Sequence, residues 1–400
     1  MAEKDRLKDH LEILENERDR LNTILSALRE ETANLPPADT ISELDTHLEA
    51  PKKRMEQLVT QIGEIRNKIQ GLETVLQQHQ YMPALRQAPS CKVVAVCDLI
   101  PERAIFAAEM FGLREEDTYL DAEKLLKRED VEAVIILTPN YNHCELTVLA
   151  ANHKKHVFIT KPMGRNLEEC RRMEAACKDN GVKLVVSFMH RYLTGIAEAK
   201  RLIEEGYIGK VEMARVLNVP GATSTLSEWF YSRENVGGGC VVDIGVHGID
   251  LVNYLIGKVD TVLYADIGRY RKTVISNGKE IEPDNEDHAS VIYRTENGVT
   301  VNHLISWPHW SIADRFSMEI FGSNGSIFLR GAMGILTVCR ADGKTAPVWM
   351  TPQIRHEPIG INHHEAFADV IINDKKEKPG ASDGIACIKV VEEIYRKAAK

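Results

Sequence analysis

Hydrophobic positions between residues 91 and 188 occur in short continuous runs separated by amphipathic segments. The runs CKVVAVCD, VEAVIILTPN, HVFITKP and VKLVVSF are rich in β-branched residues, and helical patterns such as PERAIFAAEMFG and NLEECRRMEAACKDNG lie between them. Continuous apolar strands between amphipathic helices are typical of a parallel sheet covered on both faces. The pattern therefore predicts an α/β domain over residues 81–208.

After Gly209 the pattern changes to strict alternation of apolar and polar residues. The segments KVEMARVLNV, TVLYADIGRYRKTV, HASVIYRTENGVTVNHLISW and RFSMEIFGSNGSIFLRG contain turn sequences at ENG and SNG. Alternation predicts an open antiparallel sheet with one covered face. The final segments HHEAFADVIIND and DGIACIKVVEEIYRKAAK return to a helical pattern, so residues 209–400 are expected to form an α+β domain.

Residues 1–80 contain no Phe, Trp, Tyr or Cys, and their apolar residues keep a heptad spacing on either side of a Pro-Pro break. This spacing predicts an N-terminal α-helical coiled coil, either a helical hairpin or part of an oligomer; a solvated linker is the alternative. The heptad positions are Leu7, Leu11, Leu14, Leu21, Leu25 and Leu28, then Met55, Leu58, Ile62, Ile65, Ile69, Leu72 and Leu76.

Composition narrows the class of partner. The 400-residue chain carries a net charge of −9, which argues against nucleic acid or an anionic membrane as the main partner. No apolar run approaches the ~20 residues of a membrane span. The eight cysteines form no Cys-x-x-Cys pair, which favours reduced thiols in a cytoplasmic protein over disulfides or a zinc site.

Polar residues follow three of the predicted strands. Asp98 ends its strand; a carboxylate there accepts ribose hydroxyls and repels a 2′-phosphate, which favours NAD over NADP, although an ordinary strand-end or cap Asp is equally consistent. Thr138, Pro139 and Asn140 end the next run, and Lys161 and Pro162 end the one after. Carboxyl ends of parallel strands share one crevice, so these residues are expected to face a common cleft, the alternative for Lys161 being a solvated surface charge.

A further candidate for the site is the stretch GGGCVVDIGVHGID. Gly237–Gly239 allow a close approach of the backbone to another group, and Asp243 and His247 are four residues apart on a predicted helix among apolar neighbours. A buried carboxylate beside an imidazole orients it and raises its basicity, which suits a general base. A satisfied structural pair is the alternative; a metal site is disfavoured because no third ligand is evident.

From Tyr81 to the C-terminus the chain resembles the Gfo/Idh/MocA family of NAD(P)-dependent oxidoreductases, which act mostly on sugars and cyclitols. The resemblance depends on VVAVCDLIPERA, TPNYNH, TKP, GGGCVVDIGVHGIDLVNYLIG and MEIFGSNGSI, which occur in the family's order and spacing. It implies a Rossmann-like cofactor domain, an α+β domain with an open sheet, and a homo-oligomer paired through that sheet.

The resemblance also implies a role for each candidate residue. Lys161, Asp243 and His247 match the family's catalytic residues, and Thr160 stands where its Glu-Lys-Pro motif has Glu. The residues similar to the family's cofactor site are Asp98, Thr138, Pro139, Asn140, His143, Lys161 and Pro162.

One part of the family pattern is missing. The first Rossmann strand and its Gly-x-Gly-x-x-Gly turn should precede Tyr81, but the heptad segment stands there instead. The loss removes a helix N-terminus from the pyrophosphate and a central strand from the sheet. Either the sheet closes up, another segment fills the gap, or two unrelated pieces are joined.

Two functions follow from these observations. The first is an oxidoreductase that transfers a hydride between NAD(H) and a sugar- or polyol-type alcohol, with His247 as base, Asp243 fixing its imidazole and Lys161 binding the alcohol oxygen. The second is a non-catalytic sensor or scaffold that assembles through its N-terminal helices and keeps a degenerate cofactor site. The missing loop favours the second, and the intact Lys161, Asp243 and His247 favour the first.

Overall fold

A computed structural model describes residues 81–221, 227–276, 279–311, 315–331, 335–341, 346–354 and 361–399, with six positions nearer the N-terminus (12, 16, 19, 53, 54 and 57). Apart from those six positions, the coiled coil expected in residues 1–80 lies outside the described residues. His79–Val274 and Ile281–Lys400 form one compact unit. The domain boundary expected at residue 208 stays a prediction.

The parallel strands form two separate sheets. Strands β1 (Val96–Cys97) and β2 (Thr118–Tyr119) pair with each other, and β3 (Ala133–Ile136), β4 (His156–Thr160) and β5 (Leu184–Ser187) form a second sheet in that order. All of these pairs are parallel. The predicted α/β architecture is therefore present, but its sheet is divided.

The division falls where the sequence lacks a strand. Within the described ranges, no strand pairs with both β1 and β3, so the sheet has not closed up. The strand expected over residues 92–98 is only two residues long, and the flanking Val93, Val94 and Ala95 are partly exposed. A strand needs a partner to satisfy its backbone groups, and β1 has a single partner, β2. A single partner among the described residues agrees with the short length of β1.

Helices surround the second sheet. Helices α4 (His143–Asn152) and α5 (Leu167–Asn180) pack together, with α4 against β4. On the other face, α1 (Tyr81–Arg86) packs on α9 (Ile361–Ile372) beside Phe158 and Val185. No helix in the described part of the chain is long and apolar enough to cross a membrane. In chain order the helices are α1 (Tyr81–Arg86), α2 (Pro101–Phe111), α3 (Ala122–Leu126), α4 (His143–Asn152), α5 (Leu167–Asn180), α6 (Thr194–Glu204), α7 (Arg233–Val236), α8 (Val246–Leu255), α9 (Ile361–Ile372) and α10 (Ala381–Ala398).

Local sequence signals fix the ends of these helices. The side chain of Asn166 accepts a hydrogen bond from the Glu169 N–H and caps the start of α5, and Gly181 ends it in the left-handed conformation. Gly112 ends α2 in the same way, and Pro101 occupies its first turn. These are the boundaries that the sequence pattern predicted.

The remaining long strands form one eight-stranded sheet. Its order is β15-β14-β13-β12-β6-β11-β10-β7. The strands are β6 (Val211–Asn218), β7 (Val259–Gly268), β10 (His288–Thr295), β11 (Thr300–Ser306), β12 (Phe316–Gly322), β13 (Gly325–Arg330), β14 (Ile335–Arg340) and β15 (Val348–Met350); β8 (Val274–Ser276) and β9 (Lys279–Ile281) form a separate two-stranded sheet.

This sheet has one covered face, as predicted. In β10, Ala289, Val291 and Tyr293 are buried, whereas Ser290 and Arg294 on the opposite face are exposed. The expectation of a purely antiparallel sheet is wrong at one place, because β6 and β11 pair in parallel. Strands joined by tight turns must run antiparallel, but these two are connected by a long crossover that permits the parallel pairing.

The cysteines behave as the composition predicted. All eight are free thiols, and six of them are buried. Buried free cysteine acts as a small apolar side chain, and burial raises the pKa of Cys170 and Cys177 to about 12. These thiols therefore contribute to the core and not to a disulfide frame.

An unusual histidine lies where α9 meets the parallel sheet. His363 is fully buried, its ring centroid lies 4.7 Å from that of Phe158 and 4.5 Å from that of Tyr192, and neither ring nitrogen has a hydrogen-bond partner. Burial, with a smaller effect of His364, lowers the pKa of His363 to about 3. The surroundings of His363 accommodate an aromatic ring, but the described residues provide no hydrogen-bond partner for its nitrogens.

We expect His363→Phe to stabilise the protein, increasingly so in acid. Below about pH 6.5 the unfolded chain protonates this histidine while the folded chain does not until about pH 3. The wild-type free energy of unfolding should therefore fall by up to about 1.4 kcal/mol per pH unit relative to the variant. Urea unfolding at neutral and mildly acidic pH measures the difference. The same substitution at the half-buried His153 is the control, and a pH-independent difference at His363 would contradict the account.

Candidate active site at the end of strand β4

The side chain of Lys161 lies at the carboxyl end of β4 and contacts the segment before α8. Its Nζ donates to Asp243 Oδ1 at 2.7 Å and to the Asp243 carbonyl oxygen at 2.7 Å. The side chains of Lys161 and Asp243 are 21% and 12% exposed. An ammonium group has three N–H donors, so one remains without a partner among the described residues. The surface-lysine alternative is excluded.

The carboxylate of Asp243 does not orient His247, contrary to the expectation from their spacing. Its Oδ1 accepts from Lys161, and its Oδ2 accepts from the indole Nε1 of Trp307 at 2.9 Å. The four-residue argument assumed an α-helix, but Val241–Gly245 forms a π-helix that leads into α8. The wider π turn changes the angle between the two side chains. Asp243 therefore positions Lys161.

The imidazole of His247 is buried and neutral. The residue is 8% exposed, and its Nδ1 has no hydrogen-bond partner. Burial, followed by the neighbouring His190, Lys161 and Arg315, holds the pKa of His247 well below 6.5. A neutral imidazole at physiological pH is able to accept a proton.

The glycine run before this helix approaches other parts of the protein closely. A Cβ atom at Gly237 would overlap Arg165, one at Gly238 would overlap the hydroxyl of Tyr395, and one at Gly239 would overlap the carbonyl oxygen of Glu286. Glu286 is 5% exposed, and its Oε1 accepts from Gly239 N at 2.9 Å and from Tyr395 Oη at 2.8 Å. The close approach predicted for the run is therefore to protein groups that fix the start of the π-helix.

The residues predicted to line the cofactor differ in their hydrogen bonds. Thr138 follows β3, and its Oγ1 is buried without a hydrogen-bond partner. Asn140 donates from Nδ2 to the Val236 carbonyl oxygen at 3.0 Å, which holds the loop with Pro139 against α7. His143 is fully buried, with its ring nitrogens 2.8 Å from Pro162 O and 2.9 Å from Thr138 O.

The side chain of His143 has no exposed surface, and its place along the cofactor stays a prediction. Its ring joins the loop after β3 to the loop after β4, and burial lowers its pKa. Pro162 is likewise buried. Thr160, which replaces the usual Glu, lies with its Oγ1 3.4 Å from His143 Nε2. These residues keep the two loops in register beside Lys161.

Asp98 directly follows β1. Its Oδ1 accepts from the Ile100 N–H at 2.9 Å, and its side chain is partly exposed. This bond turns the chain towards α2 and leaves Oδ2 free of any partner among the described residues. The cap interpretation and the ribose interpretation are thus compatible with each other.

Sequence reasoning missed two residues of this site. Trp307 follows β11 and holds Asp243, and His190 follows β5 with its ring stacked on His247 at a centroid distance of 4.1 Å. His190 lies in the 3-10 turn Met189–Tyr192 just after the carboxyl end of β5, so a search of the loops that follow the parallel strands would have found it. Trp307 gave no comparable signal, because an indole after an alternating strand is usually an ordinary core residue.

Comparison with known proteins identifies two matching family profiles. The profile described as "Oxidoreductase family, NAD-binding Rossmann fold" matches residues 69–188, and the one described as "GFO/IDH/MocA C-terminal domain" matches residues 196–328. Together they cover more than half of the chain, and their order agrees with the resemblance seen in the sequence.

Individual relatives are more distant. Levoglucosan dehydrogenase of Pseudarthrobacter phenanthrenivorans is 35% identical over 184 residues, which is 45% of this chain and 45% of that protein. Myo-inositol 2-dehydrogenase of Thermotoga maritima is 28% identical over 244 residues, 61% of this chain and 69% of that protein. The match thus spans less than half the length of the first of these relatives.

Solved structures share the fold. A levoglucosan dehydrogenase in complex with NADH and L-sorbose aligns with a TM-score of 0.73 at 24% identity, over 80% of this chain and 93% of that chain. An aldose-aldose oxidoreductase from Caulobacter crescentus aligns with a TM-score of 0.71 at 23% identity, over 80% of this chain and 93% of that chain. At this level of identity the likeness establishes the fold.

We expect Gly239→Ala to be strongly destabilising, because its Cβ would overlap a backbone carbonyl that is itself held in place. Overpacking of this kind costs about 1–3 kcal/mol or more in the free energy of unfolding. Gly298→Ala is the matched control: Gly298 has a φ of +84° and open space around it, so only backbone strain of about 1 kcal/mol is expected. Urea titration of both variants measures the difference, and equal losses would refute the packing argument.

Proposed function

Because the chain belongs to the Gfo/Idh/MocA family of oxidoreductases, we propose that it transfers a hydride between NAD(H) and a secondary alcohol of a sugar or polyol. The observation that carries the proposal is the Lys161 ammonium group, which Asp243 holds at the end of β4 in the same cluster as the neutral imidazole of His247. Relatives named for levoglucosan and myo-inositol support the substrate class.

His247 and Lys161 have different roles in the proposed reaction. When bound, NAD⁺ supplies the hydride acceptor for the carbinol carbon. His247 takes the hydroxyl proton of the alcohol, since burial keeps its imidazole unprotonated. The remaining N–H of Lys161 donates to the same oxygen and stabilises the negative charge that develops there. Asp243 positions Lys161 and, through Trp307, joins it to the eight-stranded sheet.

The described residues fit part of the cofactor. The partly exposed carboxylate of Asp98 suits a ribose and disfavours a 2′-phosphate, so NAD is proposed over NADP. The unpartnered hydroxyl of Thr138 suits a polar group at the strand end. In the part of the chain that the structure describes, no glycine turn leads from a strand into a helix before β1, so nothing there suits the pyrophosphate.

The divided sheet supports a second possible function, that of a sensor or scaffold. A chain that has lost its pyrophosphate-binding turn and keeps a polar cleft is suited to sensing or scaffolding without turnover. NAD-dependent turnover of a sugar or polyol distinguishes the two functions, because weak NADH binding is expected under both. Under either function we propose a cytoplasmic location, because the cysteines are free, and no nucleic-acid partner, because the net charge is −9. We also propose a homo-oligomer paired through the eight-stranded sheet, as the resemblance to the family implies.

We expect NADH affinity to be weak in this chain. Charge-assisted hydrogen bonds to a pyrophosphate contribute about 1.5–3 kcal/mol each, and the loss of two lowers affinity by roughly two to four decades. Replacing residues 1–80 with a Val- and Ile-rich strand that ends in Gly-x-Gly-x-x-Gly should restore binding. Calorimetry on both chains tests this, and micromolar NADH binding by the natural chain would show that another segment supplies the missing cradle.

We expect His247→Ala to lower turnover by about 10²–10⁴-fold with little change in NADH affinity, because a positioned base contributes about that much. In the wild type, activity should persist in mild acid below the ordinary histidine pKa, since His247 loses its basic form only well below pH 6.5. His153→Ala serves as the control. Near-normal turnover in His247→Ala would remove His247 from the mechanism, and a wild type with no NAD-dependent turnover would remove the proposed function itself.

A further inference from the structure

Two imidazole rings lie face to face in the candidate site. The ring centroids of His190 and His247 are 4.1 Å apart, with 23° between their planes. Among the described residues, the buried Nδ1 atom of each ring has no hydrogen-bond partner. The ring of Phe316 also lies beside His190, with centroids 5.2 Å apart. His247 is therefore held by a ring and not by a hydrogen bond to Nδ1.

A buried ion pair keeps the two rings together. Arg191, next to His190, donates from Nε and Nη2 to the two carboxylate oxygens of Asp250 at 2.8 and 2.5 Å. Asp250 lies three residues after His247 on α8 and is 1% exposed. The Arg191 side chain also donates to Asp383 of α10 at 2.9 Å. Bidentate pairs of this type fix geometry, so the segment that carries His190 is attached to the helix that carries His247.

This arrangement fills a role that the carboxylate of Asp243 leaves open. A catalytic imidazole is normally oriented by a partner on the nitrogen that does not react. Here Asp243 is occupied by Lys161 and Trp307. We propose that His190 is the positioning residue for His247: its stacked ring sets the orientation of the base and keeps water away from its inner face. The role in catalysis rests on the proposed function, whereas the stacking role does not.

The charged groups around the pair favour neutral rings. Burial, followed by the positive charges of Arg315 and Lys161, lowers the pKa of His190 to about 3. The same two cations and His190 itself face His247, with the Asp243 carboxylate neutralising Lys161 in part. Because burial is the largest effect, removal of the His190 ring should admit water and raise the pKa of His247. Replacement by another ring should leave it low.

The test compares His190→Phe with His190→Ala in the full-length chain. Titration of isotope-labelled histidine rings by NMR reports the pKa of His247 without any need for turnover, and His247→Gln identifies its signal. We expect His190→Ala to raise this pKa by about one unit or more, and His190→Phe to keep it at the wild-type position, since desolvation alone shifts buried groups by up to about 3–5 units. An unchanged pKa in His190→Ala would overturn the proposal.

Kinetics provide the second measurement. Misplacement of a catalytic group by about 1 Å costs up to about 10²-fold, so His190→Ala should lose about tenfold or more in kcat with little change in KM. The Phe variant should recover most of that loss. A Phe variant as impaired as the Ala variant would overturn the proposal, because the ring nitrogens of His190 would then act directly. Absence of NAD-dependent turnover in the wild type would refute the proposed function, and the titration would still decide the stacking role.

Discussion

The carboxylate of Asp243 is the group on which the site depends. It accepts from Lys161 at the end of a parallel strand and from Trp307 at the end of a strand in the eight-stranded sheet. A largely buried charge is tolerated only when its partners are complete, and removing one partner of such a pair is costly. The three groups therefore fix the parallel strands, the π-helix and the larger sheet in one arrangement. Among the described residues, Lys161 keeps a single N–H donor free, which is the one proposed to bind a substrate oxygen.

The π-helix that carries Asp243 is itself held at its start. Glu286 and Tyr395 bind the glycine run, and the absence of side chains at Gly237–Gly239 lets Arg165, Tyr395 and Glu286 approach it. One oxygen of Glu286 accepts from Gly239, Val241 and Tyr395 while its other oxygen stays without a partner. Burial raises the pKa of Glu286. The position of Asp243 thus depends on a residue of the loop before β10 and on the C-terminal helix, which are far away in sequence.

The divided parallel sheet separates the two ends of the cofactor site. Lys161, Thr138 and Asp243 belong to the better-formed part, where β3, β4 and β5 pair and helices cover both faces. Asp98 belongs to the smaller sheet, in which β1 has one partner and two residues. The groups proposed for proton transfer therefore do not depend on a strand between β1 and β3, whereas the proposed binding of the dinucleotide does. This separation explains how a chain without the glycine turn keeps a complete Lys161–Asp243 pair.

The sequence by itself determined the elements and their class. Hydrophobic periodicity and the turns at ENG and SNG are local signals, and they predicted the α/β and α+β elements and the covered face of the larger sheet. They did not predict the shortness of β1 or the parallel pairing of β6 with β11. The sequence also placed Lys161, because strand ends share one crevice. Tertiary structure decided which partner each side chain takes. Asp243 binds Lys161 and not His247, His143 joins two loops, and His190 stacks on His247. These contacts join residues dozens of positions apart through a π turn and a buried Arg191–Asp250 pair, and no short-range spacing encodes such geometry.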